Sequence, residues 1–259
     1  MDSDVACCPP RPDFPALGCP CSFYNLGTSP YRIVPRNLVK YRRQAKKGWS
    51  KSERWLLLSK INMSNRLGLI PASSLTEEQR SLHDDLTQSI KSRWDSSPRS
   101  PQLFLDDGTL IGPYGILLHH PEAARQFSAM VKALQTIPGL SLYGREVAIA
   151  VAGSRSQAAY EQYAHHIIAT QRAGITEAEL HEIQAGRCPS TLTSEGKAVF
   201  ELATALGKSG VLDQAVYDKA VDVLGRDGAA AAIHYTGFYS YVGVLLNGFD
   251  AKVPEPDGA

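Results

Sequence analysis

The sequence predicts an all-α fold of about eight helices. Helix-start signals recur along the chain, and apolar residues three and four apart follow them. No segment alternates apolar and polar residues as a half-buried strand would. Gly and Pro fall between the periodic segments, at Gly112-Pro113, Pro138-Gly139, Gly174, Gly186 and Gly207. Hydrophobic residues make up 43% of the 259, enough for a real core.

Taken in order, Thr76-Glu77-Glu78-Gln79 reads as a capping box that opens a helix to about Arg93. Leu82, Leu86 and Ile90, four apart, make its apolar face. Leu103 to Gly115 contains Asp107-Gly108 and Gly112-Pro113 and reads as a loop able to form a lid. Pro121 suits the first turn of a helix to about Thr136, which Pro138-Gly139 ends. Gly144 to Thr176 reads as two helices joined by a tight turn. Ser154 with Gln157 is the expected capping box for the second helix, and Gly174 is its stop. Thr176 to Glu179 caps a short helix that ends at Gly186. Ser194 to Gly207, Asp213 to Leu224 and Gly228 to Leu246 supply three more helices, with Gly225 to Gly228 a turn between the last two.

Net charge is +1 over the chain, but it is unevenly spread. Up to Asn62 there are eleven Lys and Arg against four Asp and Glu, a net of +7; the remainder carries sixteen against twenty-two, a net of −6. Residues 1 to about 35 hold seven prolines and no sustained periodicity, which predicts disorder. Residues 36–60, with Trp49 and Trp55 among the basic side chains, read as a solvated tail rather than a lipid or nucleic-acid contact. The mildly acidic body carries no nucleic-acid footprint. No run approaches the roughly 20 apolar residues of a membrane helix, and the acidic, proline-rich start fits no secretory signal. A cytoplasmic protein is expected. Four of five cysteines (Cys7, Cys8, Cys19, Cys21) lie in the first 21 residues at spacings that match no common zinc site, and Cys188 stands alone in the body. No metal site and no cofactor are expected, since GxGxxG, Walker A and HExxH motifs are absent.

Chemistry concentrates in the second helix of the central pair. Glu161 and His165 are four apart and share a face with Tyr160 beside them. By spacing alone the pair is an ordinary helix contact worth about 0.2–0.5 kcal/mol. Glu146 sits in the first turn of the preceding helix, where the dipole favours an acid. Tyr114, Tyr143, Tyr160, Tyr163 and the group Tyr235, Tyr239, Tyr241 offer phenols to a ring-shaped ligand, or belong to the core. His119-His120 lines a pocket or marks a helix start.

The order Glu146, eleven residues, Ala158, two residues, Glu161, three residues, His165 resembles the signature region of the carboxymuconolactone decarboxylase and alkylhydroperoxidase (AhpD-like) superfamily. Its peroxidase branch works through two cysteines one helical turn apart. Here Ala158 and Glu161 occupy those places, so the resemblance points to the decarboxylase branch, whose run is similar to Tyr160-Glu161-x-x-x-His165. GPYGILLHHPEAARQF (Gly112 to Phe127) and GFYSYVGVLLNGF (Gly237 to Phe249) are similar to segments at corresponding places in that branch. Ala159 and Gln162 depart from the acid and tryptophan common there.

The resemblance covers residues 63–254 and implies one all-α domain over that span. It leaves 1–62 as an extension and 255–259 as a tail. Because the similar region begins at Met63, that residue is the expected natural start. The implied activity is cofactor-free decarboxylation of a carboxylated lactone or an aromatic or polyketide-like acid. His165 would be the proton donor, aided by Glu161 and Glu146, with Tyr160, Tyr114 and His120 at the substrate. An isomerase using the same protons, or a non-catalytic member of the fold, is the alternative; a thiol peroxidase is disfavoured. A homo-oligomer, trimer or hexamer, is also implied.

Overall fold

The computed structural model describes residues 64–93 and 100–254, all within one compact unit. The expectations for residues 1–62 and for the 255–259 tail lie outside the described residues. Eight α-helices appear among the described residues: α1 (Glu77–Arg93), α2 (Gly112–Leu117), α3 (Pro121–Thr136), α4 (Leu142–Ser156), α5 (Ala159–Ile168), α6 (Glu177–Gln184), α7 (Ser194–Leu206) and α8 (Gln214–Phe249). A 3-10 turn, Ala72–Ser74, precedes α1, and α5 runs on into a wider π turn, Ala169–Ala173. No strand occurs among them, only an isolated antiparallel bridge between Phe104 and Leu110.

The predicted caps form where their two halves can reach each other. Gln79 N–H donates to Thr76 Oγ1 at 3.3 Å while Thr76 N–H donates to Gln79 Oε1 at 3.1 Å. At α6, Glu179 N–H donates to Thr176 Oγ1 at 3.2 Å and Thr176 N–H donates to Glu179 Oε2 at 2.9 Å. Each box satisfies donors that a helix start otherwise leaves open.

Three local expectations need correction. Ser154 does not open α5; its hydroxyl donates to Val151 O at 3.1 Å, a back-bond inside α4. Helix α4 therefore runs on to Ser156, and Gln157 closes it in the left-handed conformation at φ 51°. Helix α5 starts at Ala159, and its N-cap, Ala158, supplies no side-chain cap. The 103–115 loop is no lid, because Leu103 and Leu110 are buried and Ile111 N–H donates to Leu103 O at 3.1 Å. Its last residues are already helical, in α2. The two final helices, which make up α8, meet at the non-helical Gly225 (φ 70°, ψ 170°), so the turn falls in the predicted place but is tighter than expected. Just beyond it Gly228 packs directly on the backbone of Gly139, where a Cβ would collide with the Gly139 carbonyl.

Two apolar clusters fill the interior. One joins Val147, Ile149 and Val151 of α4 to Leu180 and Ile183 of α6, Val199 and Leu202 of α7, and the alanines of α8. The other takes Leu82, Leu86 and Ile90 of α1 with Ile116 of α2, Phe127 of α3, Tyr160 and Ala164 of α5, and Val242 and Leu246 of α8. Each fully buried Leu or Ile stabilises the fold by about 1.5–3 kcal/mol. Helix α4 is buried without interruption from Glu146 to Gly153. It packs against α5, α6, α7 and α8, which makes it the axis of the domain. A charged residue on that axis is therefore largely withdrawn from solvent.

Candidate active site

Glu146 is that residue, 3% exposed. Ser141 fixes the start of α4 by accepting from Gly144 N–H, and Ser141 is itself held by Glu195 through its N–H and hydroxyl at 2.9 and 2.8 Å. Across from Glu146, α5 crosses close to α4 because Gly153 has no side chain. A Cβ there would stand 3.2 Å from Glu161 Cγ. The crossing brings His165 Nδ1 to 2.9 Å from Glu146 Oε2. Nδ1–H donates to the carboxylate, which fixes ring orientation and leaves Nε2 as the nitrogen for a ligand.

Glu161 lies one turn before His165 and is also 3% exposed. Its Oε1 is buried with no hydrogen-bond partner among the described residues. Burial pushes its carboxyl up to about 8, with the nearby Glu146 charge adding to the rise and the His165 charge opposing it. For His165, burial works against the charged form, but the Glu146 charge and hydrogen bond, together with Glu161, outweigh it and raise the imidazole above its ordinary value. At neutral pH Glu161 is thus a protonated, neutral acid, and His165 holds its proton more tightly than a free imidazole does.

These groups line a cavity of about 520 Å³. Tyr114 and Tyr160 line it too. Tyr160 is largely a wall: its hydroxyl donates to Gln102 O at 2.7 Å, while Gln102 N–H donates to the Tyr163 hydroxyl at 3.1 Å. Its ring also fills the space above Gly112, whose φ of 59° and missing Cβ admit it. Of the two readings of His120, a pocket wall or a helix start, the structure shows the helix start. Helix α2 ends at Leu117, so His120 becomes the exposed N-cap of α3, away from the cavity, and His119 Nε2 meets Gly68 O at 2.8 Å.

The sequence offered Tyr235 and Tyr239 as phenols for a ligand or as core and did not single out Arg145 or Arg172; the fold brings all four to the cavity. Tyr239 presents an edge-on contact to the His165 ring, centroids 4.9 Å apart at 85°. Tyr235 stacks on Tyr239 at 6.2 Å, and the Arg145 guanidinium lies 5.5 Å over Tyr235. Tyr235, Tyr239, Val242 and Leu246 are spaced four, three and four, a helical face that would have marked the two tyrosines as facing inward together. Arg145 carries a weaker signal, a cation near a helix N-terminus where the dipole disfavours it. Arg172, on the π turn after α5, stands at the cavity as well.

Among the described residues no three His, Cys, Asp or Glu side chains converge as metal ligands do. Cys188 is exposed, and partial burial of its thiol together with the Glu201 charge raises its pKa rather than activating it. No described helix is long and apolar enough to cross a membrane.

The helical fold is similar to that of the alkylhydroperoxidase AhpD core. A peroxidase-related protein with the alkylhydroperoxidase AhpD core from Ralstonia eutropha JMP134 matches with a TM-score of 0.58 at 18% identity, over 73% of this chain and 92% of that one. The debrominase Bmp8 without ligand matches with a TM-score of 0.53 at 14% identity, over 69% and 89%. Bmp8 in complex with 2,3,4-tribromopyrrole matches with a TM-score of 0.50 at 14% identity, over 68% and 86%. No protein-family model and no curated protein matches the chain.

Proposed function

We propose that this protein is a cofactor-free decarboxylase of a carboxylated lactone or an aromatic or polyketide-like acid. The observation that carries the reading is the buried row Glu146, His165, Glu161 on one wall of a cavity large enough for such a ring. In the reaction the bond from the ring carbon to its carboxylate breaks, and the electron pair moves into a conjugated carbonyl as CO₂ leaves. His165 then delivers its proton to carbon, and Glu146 stabilises the imidazolium before transfer. A positioned acid of this kind contributes about 10²–10⁴-fold. The place of Glu161 where the peroxidase branch keeps a cysteine supports proton chemistry here.

Isomerisation by proton transfer next to a carbonyl is the second reading. It is favoured by the neutral state of Glu161, because an acid that keeps its proton at neutral pH can serve a reaction that loses no carbon. That Bmp8, with the same fold, has been seen with a flat substituted pyrrole supports a ring-shaped ligand in either case. The reading includes assembly of identical chains into trimers or hexamers, which light scattering tests.

The test is CO₂ release over a panel of carboxylated lactones and aromatic β-keto acids, wild type beside His165→Ala. Release by the wild type alone supports the decarboxylase. Isomerised products without CO₂ favour the second reading. Peroxide consumption that depends on Cys188 would overturn both.

A further inference from the structure

We propose that the Tyr239 hydroxyl and the Glu161 carboxyl form an oxyanion-binding pair for a planar, delocalised enolate, with His165 beside them to move the proton. The inference rests on the proton-transfer reading of the same cavity and names the species the cavity is built to hold. Both readings above pass through an enolate, whose negative charge sits on oxygen. Stabilising such a charge is often the largest single contribution to catalysis, and it requires hydrogen-bond donors fixed in advance.

The cavity holds several candidate donors, and geometry separates them. The Tyr160 hydroxyl is committed to Gln102 O. The Arg145 Nε–H is committed to Leu140 O at 3.1 Å, and its guanidinium lies over the Tyr235 ring. Tyr239 stands against the proton-carrying ring itself, edge-on to His165, and is held by stacking on Tyr235. Burial, reinforced by the negative field of Glu161 and Glu146, keeps its phenol protonated. Glu161 reaches the same His165 from one helical turn away, and its buried Oε1 has no protein partner among the described residues. A neutral carboxyl in that position carries an O–H in need of an acceptor. The carboxyl lines the cavity, where a ligand oxyanion can accept from that O–H, with the His165 ring beside it. Two O–H groups and the His165 ring thus line one cavity from α8 and α5. Neither donor resides on a mobile surface segment, so little reorganisation accompanies charge development.

The experiment uses the full-length protein and two flat probes of nearly equal shape, 4-nitrophenolate and 4-nitrotoluene, at about neutral pH. The wild type is expected to bind the phenolate more tightly than the toluene. Hydrogen bonds to a charged group are worth about 1.5–3 kcal/mol, so Tyr239→Phe is expected to weaken phenolate binding by roughly 10-fold or more. Nitrotoluene binding should stay unchanged, which also reports an intact cavity. Glu161→Leu should act similarly, and Glu161→Gln, which keeps an N–H donor, should retain part of the preference. Equal affinity of the wild type for both probes would overturn the pair. So would an unchanged phenolate preference in Tyr239→Phe and Glu161→Leu, or a preference lost only in Arg145→Gln. Should Tyr239→Phe lose both probes, the comparison of Glu161→Leu with Glu161→Gln decides. Phenolate selectivity without CO₂ release would leave the pair standing and remove the decarboxylase. CO₂ release without selectivity would do the reverse.

Discussion

His165 Nδ1 lies 2.9 Å from Glu146 Oε2, across 19 residues of sequence and between two helices. The acid that orients the histidine is therefore the distant one, and the neighbour on its own helix is left to a different task. Glu146→Gln removes the charge that raises the imidazole while keeping the shape. The His165 pKa is expected to fall, read by NMR titration of the ring. Stability that rests on the raised His165 pKa is present below the unfolded value of about 6.5 and fades as pH rises through the folded value. The stability gap between wild type and variant should narrow in that direction.

Glu161 titrates near 8 in the folded chain against 4.5 for a free glutamate. Folding therefore takes up a proton between those values, and stability falls as pH rises across them. Glu161→Gln should flatten this dependence. It should be more stable than wild type at about pH 8 by on the order of 1–3 kcal/mol, since no buried charge has to be avoided. Denaturant melts at a series of pH values check both statements.

Gly112→Ala places a methyl group inside the Tyr160 ring at a φ of 59°. Overpacking costs about 1–3 kcal/mol and the left-handed backbone adds about 1 kcal/mol. A loss of several degrees in Tm is expected, together with a narrower cavity, because the displaced ring is one of its walls.

Thr176→Ala removes one half of the α6 capping box and should destabilise the fold by about 0.5–2 kcal/mol, with no change in the His165 titration. The two readouts distinguish a structural cap from a group that belongs to the site.

Helix number, most boundaries and the apolar face Leu82, Leu86, Ile90 were legible because caps and periodicity are local properties of the chain. The turn between α4 and α5 was not. Ser154 satisfied the pattern of a cap, but its hydroxyl had a closer acceptor at Val151 once the helix existed, and only the formed helix reveals that. His165, Glu161 and Glu146 could be singled out through their order in sequence, and the hydrogen bond between two of them depends on a crossing that Gly153 permits. His120 marks a helix start and not a pocket wall, because α2 is short and turns the chain outward. Tyr239 stayed open between ligand contact and core, and Arg145 escaped notice because it looks like surface, until the three helices are placed together.

The joint between α4 and α5 consists of Gln157 and Ala158 alone. Each added residue would advance α5 by about 100° about its axis, so one insertion would turn His165 away from Glu146. Among natural variants of this chain, lengths should drift in the other connections and stay constant at this one. Its tally of residues is as much a part of the chemistry as the side chains it aligns.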